Sequence, residues 1–140
     1  MAQIDILFQL MKERGASDLM LSVGIKPCFK ISGDIQPLDE FGEVSSEEAE
    51  MVLSEFMPER NRQEFKEIND TDFAYELADC GRFRCNVFRT RMGMGGVFRL
   101  IPSKIVTTED LGLPKSVIDL CKLQKGLVLV TGPTDRKSVV

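Results

Sequence analysis

The chain has 140 residues, 43% hydrophobic and 29% charged, with a formal net charge of −4. That is ordinary globular composition and enough chain for one real core. It holds no histidine, which excludes histidine triads, histidine metal ligands and the usual general base.

The first predicted element is an amphipathic helix from Ile4 to Arg14, with Ile4, Leu7, Phe8 and Met11 on one stripe and Gly15 as its C′ residue. Asp18 to Val23 alternates Leu19, Leu21 and Val23 with polar or flexible residues, the pattern of a half-buried strand. Cys28 to Ser32 and Ile35 to Leu38 flank Gly33-Asp34, a hairpin signal. Ser45 and Glu48 form a capping-box pattern for a helix through Phe56, burying Ala49, Val52, Leu53 and Phe56. Pro58 opens a second helix to about Lys66. Strands are expected over Asp72 to Leu77 and Arg82 to Phe88, with Asp79-Cys80-Gly81 turning between them. Gly93, Gly95 and Gly96 are expected to break the chain before a strand from Val97 to Ile101. Thr108 to Leu111 starts a helical turn, and Pro114 starts a helix to about Leu123. Gly126 to Val130 is an apolar run that reads as a strand buried on both faces.

Hairpin-length connections make the sheet largely antiparallel, with helices on one face, so the fold class is α+β. The Leu127 to Val130 strand stands outside that sheet, a sticky edge that invites self-association. The apolar runs are too short to span a membrane, and no signal peptide is visible at the N-terminus. Cys28, Cys80, Cys85 and Cys121 show no C-x-x-C spacing. They point to reduced, part-buried thiols in a cytoplasmic protein, with no metal site.

Charge is uneven. From Asp34 to Asp79 fifteen acids accompany three bases, whereas Gly81 to Lys104 holds six bases and no acid. Such a stretch in an acidic protein suggests a local anion site. On antiparallel neighbours Arg84 and Arg99 fall on one face and can converge, and converging guanidiniums grip phosphate. The simpler reading is a solvated polar face whose reverse side is core. An RNA-binding sheet is a third reading of Arg82-Phe-Arg84 and Phe88-Arg-Thr-Arg91, but alternation sends Phe83 and Arg84 to opposite faces. The acidic total counts against it too.

The last stretch, Thr131-Gly-Pro-Thr-Asp-Arg-Lys-Ser138, looks like a degraded phosphate-binding loop. Gly132, Thr134, Lys137 and Ser138 match its parts. However, Lys137 comes one residue early, Arg136 stands where glycine should precede it, and Asp135 adds negative charge. A cradle for phosphate needs glycine's freedom and close approach.

An ordered set of motifs runs through the chain: Gly15-Ala-Ser-Asp-Leu-x-Leu21, Gly24-x-x-Pro27, Gly33, Gly81-Arg-Phe-Arg-x-Asn86, Phe98-Arg-x-Ile-Pro-Ser103, Leu111-Gly-Leu-Pro114 and Gly126-Leu-Val-Leu-Val-Thr-Gly-Pro-Thr134. Over nearly its full length the chain resembles the N-terminal region of the PilT-like type IV pilus retraction ATPases, of the secretion ATPase superfamily. Met20 stands where that family often has histidine, and Lys30 where it usually has arginine. The family's loop reads Gly-Pro-Thr-Gly-Ser-Gly-Lys-Ser, and its later ATPase motifs fall beyond residue 140.

The resemblance implies a PAS-like N-terminal domain over residues 1–106, a linker and helix over 107–125, and the first strand and incomplete phosphate loop of a RecA-like domain over 126–140. It implies a cytoplasmic homo-hexamer, peripheral to the inner membrane at the pilus base, that drives retraction and twitching motility. Partners would be other subunits of the motor and an inner-membrane protein of the pilus base, with no nucleic acid and no membrane insertion. ATP and Mg²⁺ serve the intact family. With its damaged loop this chain is expected to bind neither and to be non-catalytic by itself. Arg84 and Arg99, with Arg82 a weaker third, are expected to act in trans toward a neighbour's nucleotide. The alternative is a free-standing interaction module that assembles with or tunes intact motor subunits.

Overall fold

The computed structural model describes residues 2–102, 107–129 and 131. It divides into two compact units, Met1–Ser103 and Lys104–Val140. The first opens with α1 (Ile4–Glu13), whose Ile4, Leu7, Phe8 and Met11 are all buried. The helix stops where Gly15 turns left-handed at φ +64°, and the Ala16 N–H then bonds back to the Met11 carbonyl at 2.9 Å. Asp5 is also buried on this helix. It accepts bonds from the Ala2 N–H at 2.8 Å and the Tyr75 hydroxyl at 2.9 Å.

Next come β1 (Asp18–Ser22), β2 (Cys28–Ile31) and β3 (Asp34–Pro37). The β2–β3 turn is Ser32-Gly33, both at positive φ, one residue earlier than Gly33-Asp34. A type I′ turn needs two such residues, and its twist matches the strands it joins. Then α2 (Ser46–Phe56) begins at the expected capping box, with Ser45 and Glu48 bonding each other's backbone. Val52 is only half-buried. The next helix, α3 (Glu59–Ile68), runs two residues past Lys66, to a left-handed Asn69.

The chain returns as a meander: β4 (Asp70–Leu77), β5 (Gly81–Thr90) and β6 (Gly93–Ile101). All strand pairs are antiparallel, in the order β3-β2-β1-β6-β5-β4. Here the expected break at Gly93, Gly95 and Gly96 is corrected: these glycines lie inside β6. Their role is clearance. A Cβ on Gly96 would stand 2.4 Å from the Phe98 ring, and one on Gly95 would stand 3.0 Å from Phe88, its register partner on β5. The rings occupy the space a side chain would take.

The core lies between one face of this sheet and the three helices. Phe8 of α1 stacks on Phe83 of β5, with ring centroids 4.0 Å apart. It meets Phe56 of α2 edge-on at 6.2 Å and Phe98 of β6 at 5.6 Å. The α+β expectation, a largely antiparallel sheet with helices on one face, therefore holds.

In the second unit, Thr107 and Asp110 exchange side-chain-to-backbone bonds at 3.1 Å. There α4 (Lys115–Leu120) follows Pro114, ends three residues short of Leu123 and buries no residue. The strand expected over Gly126–Val130 is also corrected for its described part. Gly126 to Leu129 join no ladder, and Leu127 is 82% and Leu129 75% exposed. A strand needs a neighbour to supply its hydrogen bonds, and none of the described residues does so.

Candidate functional site

Alternation along β5 settles which residues face which way. Phe83, Cys85 and Val87 are fully buried beneath the helices, while Arg82 and Arg84 are exposed on the reverse face. Burial pushes the Cys85 thiol up to about 12, so it carries no thiolate near neutral pH. Burial and the bond to Asp5 likewise push the Tyr75 phenol up to about 12. The four cysteines are free, and Cys121 is exposed, which corrects its expected burial.

The register brings Arg84 and Arg99 directly opposite each other across β5 and β6. Arg99 is in turn opposite Asp18 of β1. The Arg99 Nε donates to Asp18 Oδ1 at 2.7 Å, and the Ser17 hydroxyl donates to Asp18 Oδ2 at 2.6 Å. Asp18 is itself withdrawn from solvent: its side chain is 5% exposed, against 61% for the Arg99 side chain it holds. Arg84 is held less closely. Its Nε lies 3.5 Å from Asp72 Oδ1 of β4, with the two side chains 67% and 53% exposed.

Together Asp18, Asp72, Arg84, Asn86, Val97 and Arg99 line an open recess of about 450 Å³. Both ion pairs engage the guanidinium side-on at Nε, and the terminal amino groups of a guanidinium form a fork that suits an oxyanion. Two cations oppose two anions here, so the recess fits a phosphate only in competition with its own carboxylates. Arg82 stands apart from this set, opposite Glu76 on β4 and Ile101 on β6.

Gly132, Thr134, Lys137 and Ser138 lie outside the described residues. As a sequence, the loop they belong to does not fit a phosphate cradle, because Asp135 and Arg136 stand where small, conformationally free residues are needed. For the RNA reading, Phe83 is removed from any stacking surface, being fully buried against Phe8. Phe88 is half-buried over Gly95, on the arginine side. No helix among the described residues is long and apolar enough to cross a membrane, and no cluster of three metal-ligating side chains occurs among them. The carboxylate partners of the arginines were missed by the sequence reading. Their signal was the placement of Asp18 and Asp72 on the strands flanking β6 and β5, which becomes visible only once strand order is known.

This architecture, a six-stranded antiparallel sheet with helices on one face, has counterparts among solved ATPase structures. In solved structures, the pilus retraction motor PilT with bound ADP superposes with a TM-score of 0.78 at 36% identity, over 96% of this chain and 39% of that one. The Legionella pneumophila ATPase DotB superposes with a TM-score of 0.74 at 19% identity, over 96% and 39%, which shows the shared fold alone. Among curated proteins, the type IV pilus retraction ATPase PilT of Pseudomonas aeruginosa is 38% identical over 122 residues, covering 87% of this chain and 35% of that protein. The type IV pilus ATPase PilU of the same organism is 34% identical over 132 residues, covering 94% and 34%. No protein-family model matches the chain. The chain is a homologue of the N-terminal domain of the PilT-like type IV pilus ATPases, and spans about a third of the length of those curated relatives.

Proposed function

We propose that this chain is the N-terminal subunit-interface domain of a hexameric motor that powers type IV pilus retraction and twitching motility. On this reading residues 1–106 are the interface domain, 107–125 a linker and helix, and 126–140 the entry to an ATPase core. The motor works in the cytoplasm at the pilus base, against an inner-membrane partner, with ATP and Mg²⁺ held by the ATPase core. Arg84 and Arg99 face a neighbouring subunit and assist its nucleotide, with Arg82 a weaker contributor. One observation supports this above the rest: Arg84 and Arg99 stand directly opposite each other on the open sheet face. Like charges in that position weaken a sheet, so the pair is poorly explained as scaffold and well explained as a grip for an anion brought by another chain.

The test uses the native protein, found in extract of the source cell with an antibody raised against this chain. The expected species is far heavier than 15.7 kDa and migrates as a hexamer. Arg84→Ala with Arg99→Ala in the native gene should then lower ATP turnover about a hundredfold or more while the hexamer persists. Full turnover in that double variant overturns the reading. A single native band at 15.7 kDa moves the function to what the domain binds.

A further inference from the structure

Arg84 and Arg99 are chemically equal but held differently. The Arg99 Nε bonds at 2.7 Å to a carboxylate that is itself buried and fixed by Ser17. The Arg84 Nε sits 3.5 Å from the exposed carboxylate of Asp72. A side-on bond to a fixed partner removes rotamer freedom from Arg99 before any ligand arrives, whereas a loose exposed pair is readily exchanged. We infer that Asp18 is a positioning residue that presets Arg99, while Asp72 is a releasable counter-ion that parks Arg84, so that a phosphate oxyanion meets one fixed and one swinging arm. The inference rests on the anion-binding reading of this face.

The two aspartates then act in opposite directions. Both are negative, so simple electrostatics predicts that removing either favours an anion. Positioning predicts that removing Asp18 disfavours it. The experiment titrates the full chain, with labelled arginine, using inorganic tripolyphosphate, and follows the Nε–H signals of Arg84 and Arg99 by NMR. In the wild type, the Arg99 signal should be sharp before titration and the Arg84 signal should sharpen only with the anion. Asp72→Asn should tighten binding about two- to fivefold, the equivalent of one exposed ion pair. Asp18→Asn should weaken it about two- to tenfold, the equivalent of freeing one long side chain. Where Asp18→Asn unfolds the chain, Ser17→Ala takes its place and should weaken binding in the same direction. If both carboxylate variants tighten binding, or if both arginines are equally ordered without anion, the inference falls while the anion face stands. If neither arginine responds to tripolyphosphate, the anion-binding reading itself falls and takes the inference with it.

Discussion

On the helix-covered face of β5 and β6 stand Phe83, Cys85, Val87 and Phe98, all fully buried; one residue along, on the other face, stand Arg82, Arg84 and Arg99, all exposed. The same backbone ladder carries both sets. The buried set gains from area removed from water and from ring geometry. The exposed set contains a like-charge pair in direct register, with carboxylates only on the strands to either side. On the proposed reading, stability and recognition are thus separated by the pleat. Substitutions on one face should change folding, and on the other they should change binding.

The sharpest break in that comparison comes from Phe83→Ala. The ring is fully buried and stacked 4.0 Å from Phe8, so its loss should cost about 3–5 kcal/mol, from lost burial and the cavity left behind. Urea denaturation followed by circular dichroism measures this. A loss below about 1 kcal/mol would mean that the aromatic stack is not what holds the helices to the sheet.

A smaller effect tests the glycines of β6. Gly96→Ala places a methyl 2.4 Å from Phe98, so the ring must leave its rotamer, and the expected cost is about 1–3 kcal/mol. Gly95→Ala meets the edge of half-buried Phe88 at 3.0 Å and the Leu21 carbonyl oxygen at 3.2 Å. Its ring neighbour has more room to move, so the same denaturation measurement should give a smaller loss. An equal or larger loss at Gly95 would show that clearance on the core face is not the controlling demand.

Those glycines also mark the limit of what the sequence made legible. Periodicity located α1 and its buried stripe, the capping box located the start of α2, and alternation on β5 assigned Phe83 and Arg84 to opposite faces. Gly93, Gly95 and Gly96 read as a break, because a glycine cluster signals a turn unless the neighbouring side chains that fill the space are known, here Ser46 and Val23 at Gly93, Phe88 at Gly95 and Phe98 at Gly96. Gly126 to Leu129 read as a strand because apolar runs carry that pattern, yet a ladder depends on a partner that local pattern cannot supply. At the candidate site the convergence of Arg84 and Arg99 was legible, since consecutive strands usually pair. Asp18 as the holder of Arg99 was not, because β1 and β6 are far apart in sequence and meet only through the β3-β2-β1-β6-β5-β4 order.

The smallest expected effect is the most telling for the open face. Arg84→Ala removes a loosely held, exposed partner of Asp72 and, with it, the cation directly opposite Arg99. The first loss is worth about 0–1 kcal/mol at an exposed site. The second is a gain of similar size, because like charges directly opposite are destabilising. The two nearly cancel, so stability should change by less than about 0.5 kcal/mol. A double-mutant cycle with Arg99→Ala separates them: the coupling between the arginines should be unfavourable and should shrink as salt rises, since both side chains are solvated. A favourable coupling, or a loss of more than about 1 kcal/mol from Arg84→Ala that salt leaves unchanged, would make Arg84 part of the scaffold. It would also erase the distinction between a face that folds the domain and a face that binds.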